Sequence, residues 1–285
     1  MEIKLIGVVG AGQMGSGITE VAITSGFHVR MRDVTQEALE KGRRRIVGDL
    51  EKRVQRGKLS SEEKESFLKR LGTTTTLEDL KDCDFIIEAA TEQIFLKGEI
   101  FKTLDQIARR EVILASNTSS ISITRIASFT NRPDRVIGMH FFNPAPIMAL
   151  MEIVRGLATS EETFQTTKDL STRLGKTPQE ANDFPGFVSS RLIFSYMNDA
   201  IYTLYEGVGK PKEIDAIMRL GANHPMGPLE LADYVGLDTV LSVMKVLQEA
   251  FGDKYRPCPL LSKYVEAGYL GLKTGRGFYE YGGKK

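Results

Sequence analysis

Tryptophan is absent from this 285-residue chain, cysteine occurs twice, histidine three times, and 38 Lys+Arg nearly cancel 37 Asp+Glu to leave a net charge of +1. Each scarcity excludes something. Cys83 and Cys258 are too few and too far apart for the disulfide framework of a small secreted domain or for a spaced metal-ligand cluster, so a reducing compartment and no metal are expected. Near-zero net charge removes any general field toward nucleic acid or membrane, and a cationic site must therefore be local. No stretch approaches the ~18 consecutive apolar residues of a membrane span. The apolar run at residues 3–9 passes directly into glycines and has no cleavage-like segment, so it does not read as a signal peptide. A soluble, cytoplasmic protein is the expectation. What is present, 41% hydrophobic and 26% charged residues, is ordinary globular composition, and the length predicts about two domains.

Residues 3–9 are almost continuously apolar, as in a strand buried on both faces of a parallel sheet, and helical spacing follows with Ile18, Val21 and Ala22. Phe27, Val29 and Met31 alternate with polar residues and end at Asp33, which completes a βαβ unit. The charge-dense stretch 36–70 predicts two long helices meeting near Gly57. Further strands are predicted at 85–89, 112–116, 136–140 and 151–154, and the alternation implies a doubly wound, Rossmann-like α/β domain. Beyond Asp183-Phe184-Pro185-Gly186 the pattern turns helical, at 187–206, 211–220 and 238–251. The predicted boundaries are 1–185 for the α/β domain and 186–285 for a smaller, all-helical one.

Gly10-Ala11-Gly12-Gln13-Met14-Gly15 is a G-x-G-x-x-G sequence set between a strand and a helix. Gly10 permits the tight turn, Gly12 lets the backbone approach a pyrophosphate, and Gly15 lets helix and strand pack closely; the phosphates then meet amide hydrogens at the positive end of the helix. Asp33, at the end of the next strand, supplies a carboxylate for the adenosine ribose hydroxyls and repels a 2′-phosphate. That pattern predicts NAD rather than NADP, although Arg30 and Arg32 flank the acid. Among the histidines, His140 stands out: it ends an apolar strand in GMHFFNP, where open parallel sheets place ligand-binding groups, and imidazoles exchange protons near neutrality.

With GAGQMG at 10–15, EAATEQ at 88–93, SNTSS at 116–120, GMHFFNPAP at 138–146, PGF at 185–187, GANHPMGPLEL at 221–231 and KTGRGFYEY at 273–281, the chain resembles the 3-hydroxyacyl-CoA dehydrogenase family over nearly its whole length, especially its short bacterial 3-hydroxybutyryl-CoA members. The resemblance implies NAD-dependent interconversion of 3-hydroxyacyl-CoA and 3-ketoacyl-CoA in fatty-acid or butanoate metabolism, by a homodimer formed through the helical domain. It makes His140 the general base, Glu152 the carboxylate that orients it, and Ser119 the hydroxyl that holds the reacting oxygen. It carries dinucleotide contacts to Glu92, Lys97, Ser119, Asn143 and Lys273; read without the family, Lys97 and Lys273 are solvated surface charges. Coenzyme A phosphates would fall near Lys52, Arg53 and Arg56, which otherwise read as a solvated helix face.

One position departs from the pattern. Where the family carries asparagine in PGF-x-x-N-R, this chain has Ser190. Serine retains a donor but is shorter, and losing one donor that acts mainly in the transition state costs ~3 kcal/mol, about a hundredfold in rate. Two other readings stay open: a dehydrogenase of a non-CoA 3-hydroxy acid, and an NAD-binding protein without turnover.

Overall fold

The computed structural model describes residues 2–282; Met1 and residues 283–285, the outermost positions of the two predicted domains, lie outside the described residues. The chain divides into two compact units, Met1–Asp183 and Phe184–Lys285.

The first unit is built on β1 (Leu5–Val9), β2 (His28–Arg32), β3 (Leu71–Thr74), β4 (Phe85–Glu88), β5 (Ile113–Ser116), β6 (Val136–Phe141), β7 (Leu150–Arg155) and β8 (Thr177–Asn182). They form one sheet in the order β3-β2-β1-β4-β5-β6-β7-β8. Pairing is parallel except between β6 and β7. The helices are α1 (Gln13–Thr24), α2 (Gln36–Gln55), α3 (Ser61–Leu68), α4 (Ile94–Ile107), α5 (Ile123–Ala127) and α6 (Glu161–Arg173). The central strands are apolar up to their carboxyl ends because both faces are covered; Ile6, Val8, Phe85, Ile87, Ile113 and Ile137 share one buried core with Ile18, Leu39, Ile46 and Leu50 of the helices.

Local chemistry sets the helix starts. Thr35 caps α2 by accepting the Ala38 amide, and Ser60 with Glu63 forms a reciprocal capping box on α3. The predicted pair of long helices resolves into 20 residues for α2 and only 8 for α3, separated at Gly57, which has φ +66°. Two strands escape the sequence pattern. β3 reads Leu-Gly-Thr-Thr and β8 reads Thr-Pro-Gln-Glu-Ala-Asn; both are edge strands, where few apolar residues are needed and Pro178 is tolerated.

Chain order reverses beside β1, which lies between β2 and β4. Open α/β sheets bind ligands at such a point, outside the carboxyl ends of the strands. Gly10, Glu88, Ser116 and His140 all stand at or just beyond those ends.

The second unit contains α7 (Ser189–Tyr205), α8 (Pro211–Gly221), α9 (Pro228–Val235), α10 (Leu237–Phe251) and α11 (Pro259–Glu266), around a core including Met197, Ile201, Leu229, Val240, Met244 and Leu261. α9 and α11 are short and each opened by proline, and periodicity alone does not separate them. Isolated bridges at Gly271–Arg276 and Arg276–Glu280 add the small extended part of an otherwise helical unit.

Candidate active site

The turn after β1 has the form the glycine pattern predicts. Gly10 sits at φ +109°, where a Cβ would lie 2.6 Å from the Ala89 carbonyl oxygen, and a Cβ on Gly15 would lie 1.9 Å from that of Gly10. At Gly12 no other group stands within 4 Å of where a Cβ would lie, so the first turn of α1 is open to a ligand. Met14, on the same turn, packs against the core below. A cavity of about 420 Å³ opens there, lined by Gly10, Gly12, Asp33, Leu77, Ala89 and Ala90 among others. Asp33 is fastened in its wall by the Ala11 amide at 2.7 Å and the Val34 amide at 2.7 Å. The flanking arginines are drawn off toward the following loop: Arg32 Nε donates to the Thr75 carbonyl at 3.3 Å and Arg30 to that of Asp79. An open helix N-terminus, a carboxylate in the cavity wall and apolar sides at Leu77 and Ala89 fit the adenosine half of a dinucleotide.

Antiparallel pairing of β6 with β7 sets His140 directly across from Glu152. His140 Nδ1 lies 2.8 Å from Glu152 Oε2, with the histidine 6% and the glutamate 3% exposed. A carboxylate accepts only, so Nδ1 carries the proton and Nε2 is left as the acceptor. Ser119 Oγ lies 3.0 Å from Nε2. The three residues therefore form one hydrogen-bonded line, and Phe142 packs tilted against the imidazole with ring centroids 4.8 Å apart.

The turn carrying Ser119 is gripped by Glu92, whose Oε1 accepts the Ser119 amide at 3.1 Å, the Ser120 amide at 3.2 Å and the Thr118 hydroxyl. Partial burial, the largest influence on this carboxyl, pushes it up. The Lys97 ammonium and the donors from Thr118, Ser119 and Ser120 outweigh that, and the net result is a lowered pKa. Lys97 is not a surface charge: it is 1% exposed, its Nζ 2.6 Å from Glu88 Oε1 and 3.4 Å from Glu92 Oε2. Asn143 accepts from the Gln13 side chain at 3.0 Å, which joins the end of the β6 loop to the glycine turn.

The other predicted residues have contacts of their own. Lys52 pairs with Asp49 at 2.8 Å, Arg53 reaches Glu20 at 3.7 Å, and Arg56 is exposed where α2 ends. Ser190 and Lys273 belong to the second unit. Ser190 is buried in the first turn of α7, after Gly186 at φ +77° and Phe187 at φ +48°. Lys273 donates to Asp238 at 2.7 Å and to Thr239 at 3.0 Å.

Sequence reasoning missed four contributors. Glu88 accepts from Lys97, from the Ala90 amide at 2.6 Å and from Ser116 Oγ at 2.6 Å. Asn117 Oδ1 accepts the Phe141 amide at 2.9 Å and so ties the Ser119 turn to the strand of His140. Lys176 donates to the carbonyls of Ala145 and Met148 at 2.5 and 2.8 Å, beneath the Asn143 loop. Glu20, in a second cavity of about 340 Å³ with Gln13, Arg45, Asp49 and Asn143, is pushed up to about 7 by burial and by Asp49. An acid closing the apolar strand Phe-Ile-Ile-Glu was the available signal for Glu88; the others carried none. Among the described residues no group of three or more His, Cys, Asp and Glu is arranged to hold a metal, and no helix is long and apolar enough to cross a membrane.

Residues 5–184 match the NAD binding domain of 3-hydroxyacyl-CoA dehydrogenase, and residues 186–281 match its C-terminal domain. The chain is 57% identical to a probable 3-hydroxybutyryl-CoA dehydrogenase of Bacillus subtilis over 99% of this chain and 98% of that one. It is 52% identical to a 3-hydroxybutyryl-CoA dehydrogenase of Bradyrhizobium diazoefficiens over 99% and 97%. The crystal structure of (S)-3-hydroxybutyryl-CoA dehydrogenase from Ralstonia eutropha superposes with a TM-score of 0.95 at 49% identity, covering 99% of this chain and 100% of that one. A hydrogen-bonded Ser-His-Glu line beside a dinucleotide-shaped turn, in a chain matched from end to end at this identity, makes the protein a member of the 3-hydroxyacyl-CoA dehydrogenase family.

Proposed function

We propose that the chain interconverts an (S)-3-hydroxyacyl-CoA, above all the 3-hydroxybutyryl thioester, with its 3-ketoacyl-CoA. The observation that carries this reading is the line Ser119–His140–Glu152. Ser119 Oγ and His140 Nε2 lie 3.0 Å apart and together present a donor and an acceptor to one substrate oxygen. On oxidation His140 takes the hydroxyl proton at Nε2, and Glu152 holds Nδ1–H and stabilises the imidazolium that results. Bound NAD supplies the hydride acceptor in that direction and NADH the donor in the other. Gly10 to Gly15 and Asp33 hold the dinucleotide's phosphates and ribose; Glu92 and Asn143 meet its nicotinamide half. Lys97, being buried, serves that half through Glu92. Lys273 is assigned to the dinucleotide on the family pattern alone.

Lys52, Arg53 and Arg56 take the phosphates of coenzyme A. The exposed Lys52–Asp49 pair is a weak competitor, since exposed pairs contribute ~0–1 kcal/mol, and Arg53 reaches the buried Glu20 only at 3.7 Å. Ser190 holds the substrate carbonyl as a shortened replacement for asparagine. The second unit forms a homodimer through the exposed apolar side chains Tyr205, Val208, Ile217 and Leu220 of the α7–α8 region, a state that light scattering on the eluted protein reads directly. Two buried, unpaired thiols, Cys83 and Cys258, support a cytoplasmic location.

The test is NADH oxidation with acetoacetyl-CoA, run beside NADPH, free acetoacetate, and the His140→Ala and Ser190→Asn variants. The expected result is turnover with NADH that needs His140 and the CoA thioester and rises up to a hundredfold in Ser190→Asn. Turnover of the free acid with indifference to CoA makes the chain a dehydrogenase of a non-CoA 3-hydroxy acid; NADH binding without turnover in either Ser190 form makes it a non-catalytic binder.

A further inference from the structure

Beneath the Ser119 turn lies a buried charged cluster in which one member, Glu88, has no part in the reaction as described. Glu88, the last residue of β4, is wholly buried, and Lys97 of α4 is 1% exposed. Glu88 Oε1 accepts the Lys97 ammonium at 2.6 Å and the Ala90 amide at 2.6 Å, while Oε2 accepts Ser116 Oγ at 2.6 Å. Ser116 Oγ accepts in turn from the Thr118 amide at 3.3 Å. The Glu88 carbonyl takes the Asn117 amide at 2.7 Å, and Asn117 Oδ1 takes the amide of Phe141, next to His140, at 2.9 Å. Lys97 also reaches Glu92, whose other oxygen holds the amides of Ser119 and Ser120. One ammonium thus bridges two carboxylates, and the two grip the 116–120 turn from its start and from its tip.

A buried carboxylate and ammonium carry a large desolvation cost, and a hydrophobic pair of similar volume would stabilise the fold at least as well. What an apolar pair does not supply is the directed hydrogen bond that holds Ser116 Oγ at the start of the 116–120 turn, with the carboxylate itself fixed by Lys97 and the Ala90 amide. We propose that Glu88 is a positioning residue: it holds the 116–120 turn so that the Ser119 hydroxyl stays within hydrogen-bond reach of His140 Nε2. The proposal rests on the reading of Ser119 as the hydroxyl that holds the reacting oxygen. A displacement of about one ångström at such a contact is worth up to about a hundredfold in rate.

A double-mutant cycle in the full chain tests it, with kcat and KM for acetoacetyl-CoA, NADH affinity by fluorescence, and thermal unfolding as readouts. Glu88→Gln, which keeps the shape and removes the charge, is expected to lower kcat about ten- to a hundredfold, with KM and NADH affinity within threefold. In a Ser119→Ala background the same substitution is expected to lower kcat less than twofold further, because the hydroxyl it positions is gone. Should Glu88→Gln fold poorly, the charge-balanced Glu88→Gln/Lys97→Met variant restores stability and keeps the kcat defect. Equal losses in both backgrounds, or a loss of stability with unchanged kcat, overturn the positioning role and leave a structural ion pair. Unchanged kcat in Ser119→Ala alone overturns the reading of Ser119 and this proposal with it, a result distinct from failure at Glu88.

Discussion

Both units bury carboxylates, and they satisfy them in opposite ways. In the first unit Glu88 faces an ammonium and Glu152 an imidazole, groups that carry or acquire positive charge. In the second unit Asp215 and Asp233, both fully buried, are satisfied by neutral donors. Asp215 accepts the Leu229 and Glu230 amides at 2.9 Å each and the Tyr279 hydroxyl at 2.6 Å. Asp233 accepts the Phe278 and Tyr279 amides at 3.0 Å each and the Tyr281 hydroxyl at 3.0 Å. Amides cannot move a proton on a catalytic timescale; they fasten one stretch of backbone to another. The acids of the second unit thus lock the carboxyl-terminal segment onto α8 and α9, while Glu152 in the first unit adjoins a group able to exchange a proton. Burial pushes Asp233 upward, and the Phe278, Tyr279 and Tyr281 donors only partly offset this.

On that contrast, substitutions in the two places separate rate from stability. The largest effect on rate belongs to His140→Ala and Glu152→Gln, which are expected to lower kcat by about 10²–10⁴-fold in the NADH assay. Asp233→Asn is expected to reverse the pattern: kcat is retained, and urea unfolding followed by circular dichroism shows a loss of about 2 kcal/mol, because an amide NH2 now opposes a buried donor. Tyr281→Phe, which removes one donor from the same carboxylate, costs about 1 kcal/mol.

Glu20 sharpens the comparison by pH. It is buried in α1, and burial first, then Asp49, raise its pKa from an ordinary 4.5 to about 7 against the pull of Arg53 and Lys52. A raised acid binds more protons folded than unfolded, so its contribution to stability is full below about pH 4.5 and declines as pH rises through about 7. Melting temperatures across that window are expected to fall in the natural protein relative to Glu20→Gln; parallel curves for the two would show that the carboxyl is ionised throughout.

Much of the site was legible because its chemistry is local. The glycine turn needs residues without Cβ at fixed places, and GMHFFNP marks a histidine at a strand end. The resemblance added Ser119 and Glu152, which the fold then sets on one line with His140. Lys97 reads as a surface charge because nothing in its neighbourhood announces burial: its partner Glu88 closes a different element, and the two meet only once α4 packs beside β4. Edge strands β3 and β8 escape the pattern because an edge needs no second apolar face, and α9 and α11 because eight residues give too few turns for a period to show.

By itself, then, the amino-acid order determined where strands and helices alternate, where the glycine turn lies and which imidazole closes an apolar strand, since each depends on residue type and spacing along a few positions. The tertiary structure decided the partnerships: Glu152 opposite His140 through an antiparallel register, Lys97 drawn inward between two acids, Asn117 bridging β5 and β6. Those are contacts between different strands, helices and turns, and their energies exist only when a shared, desolvated interior brings the elements together.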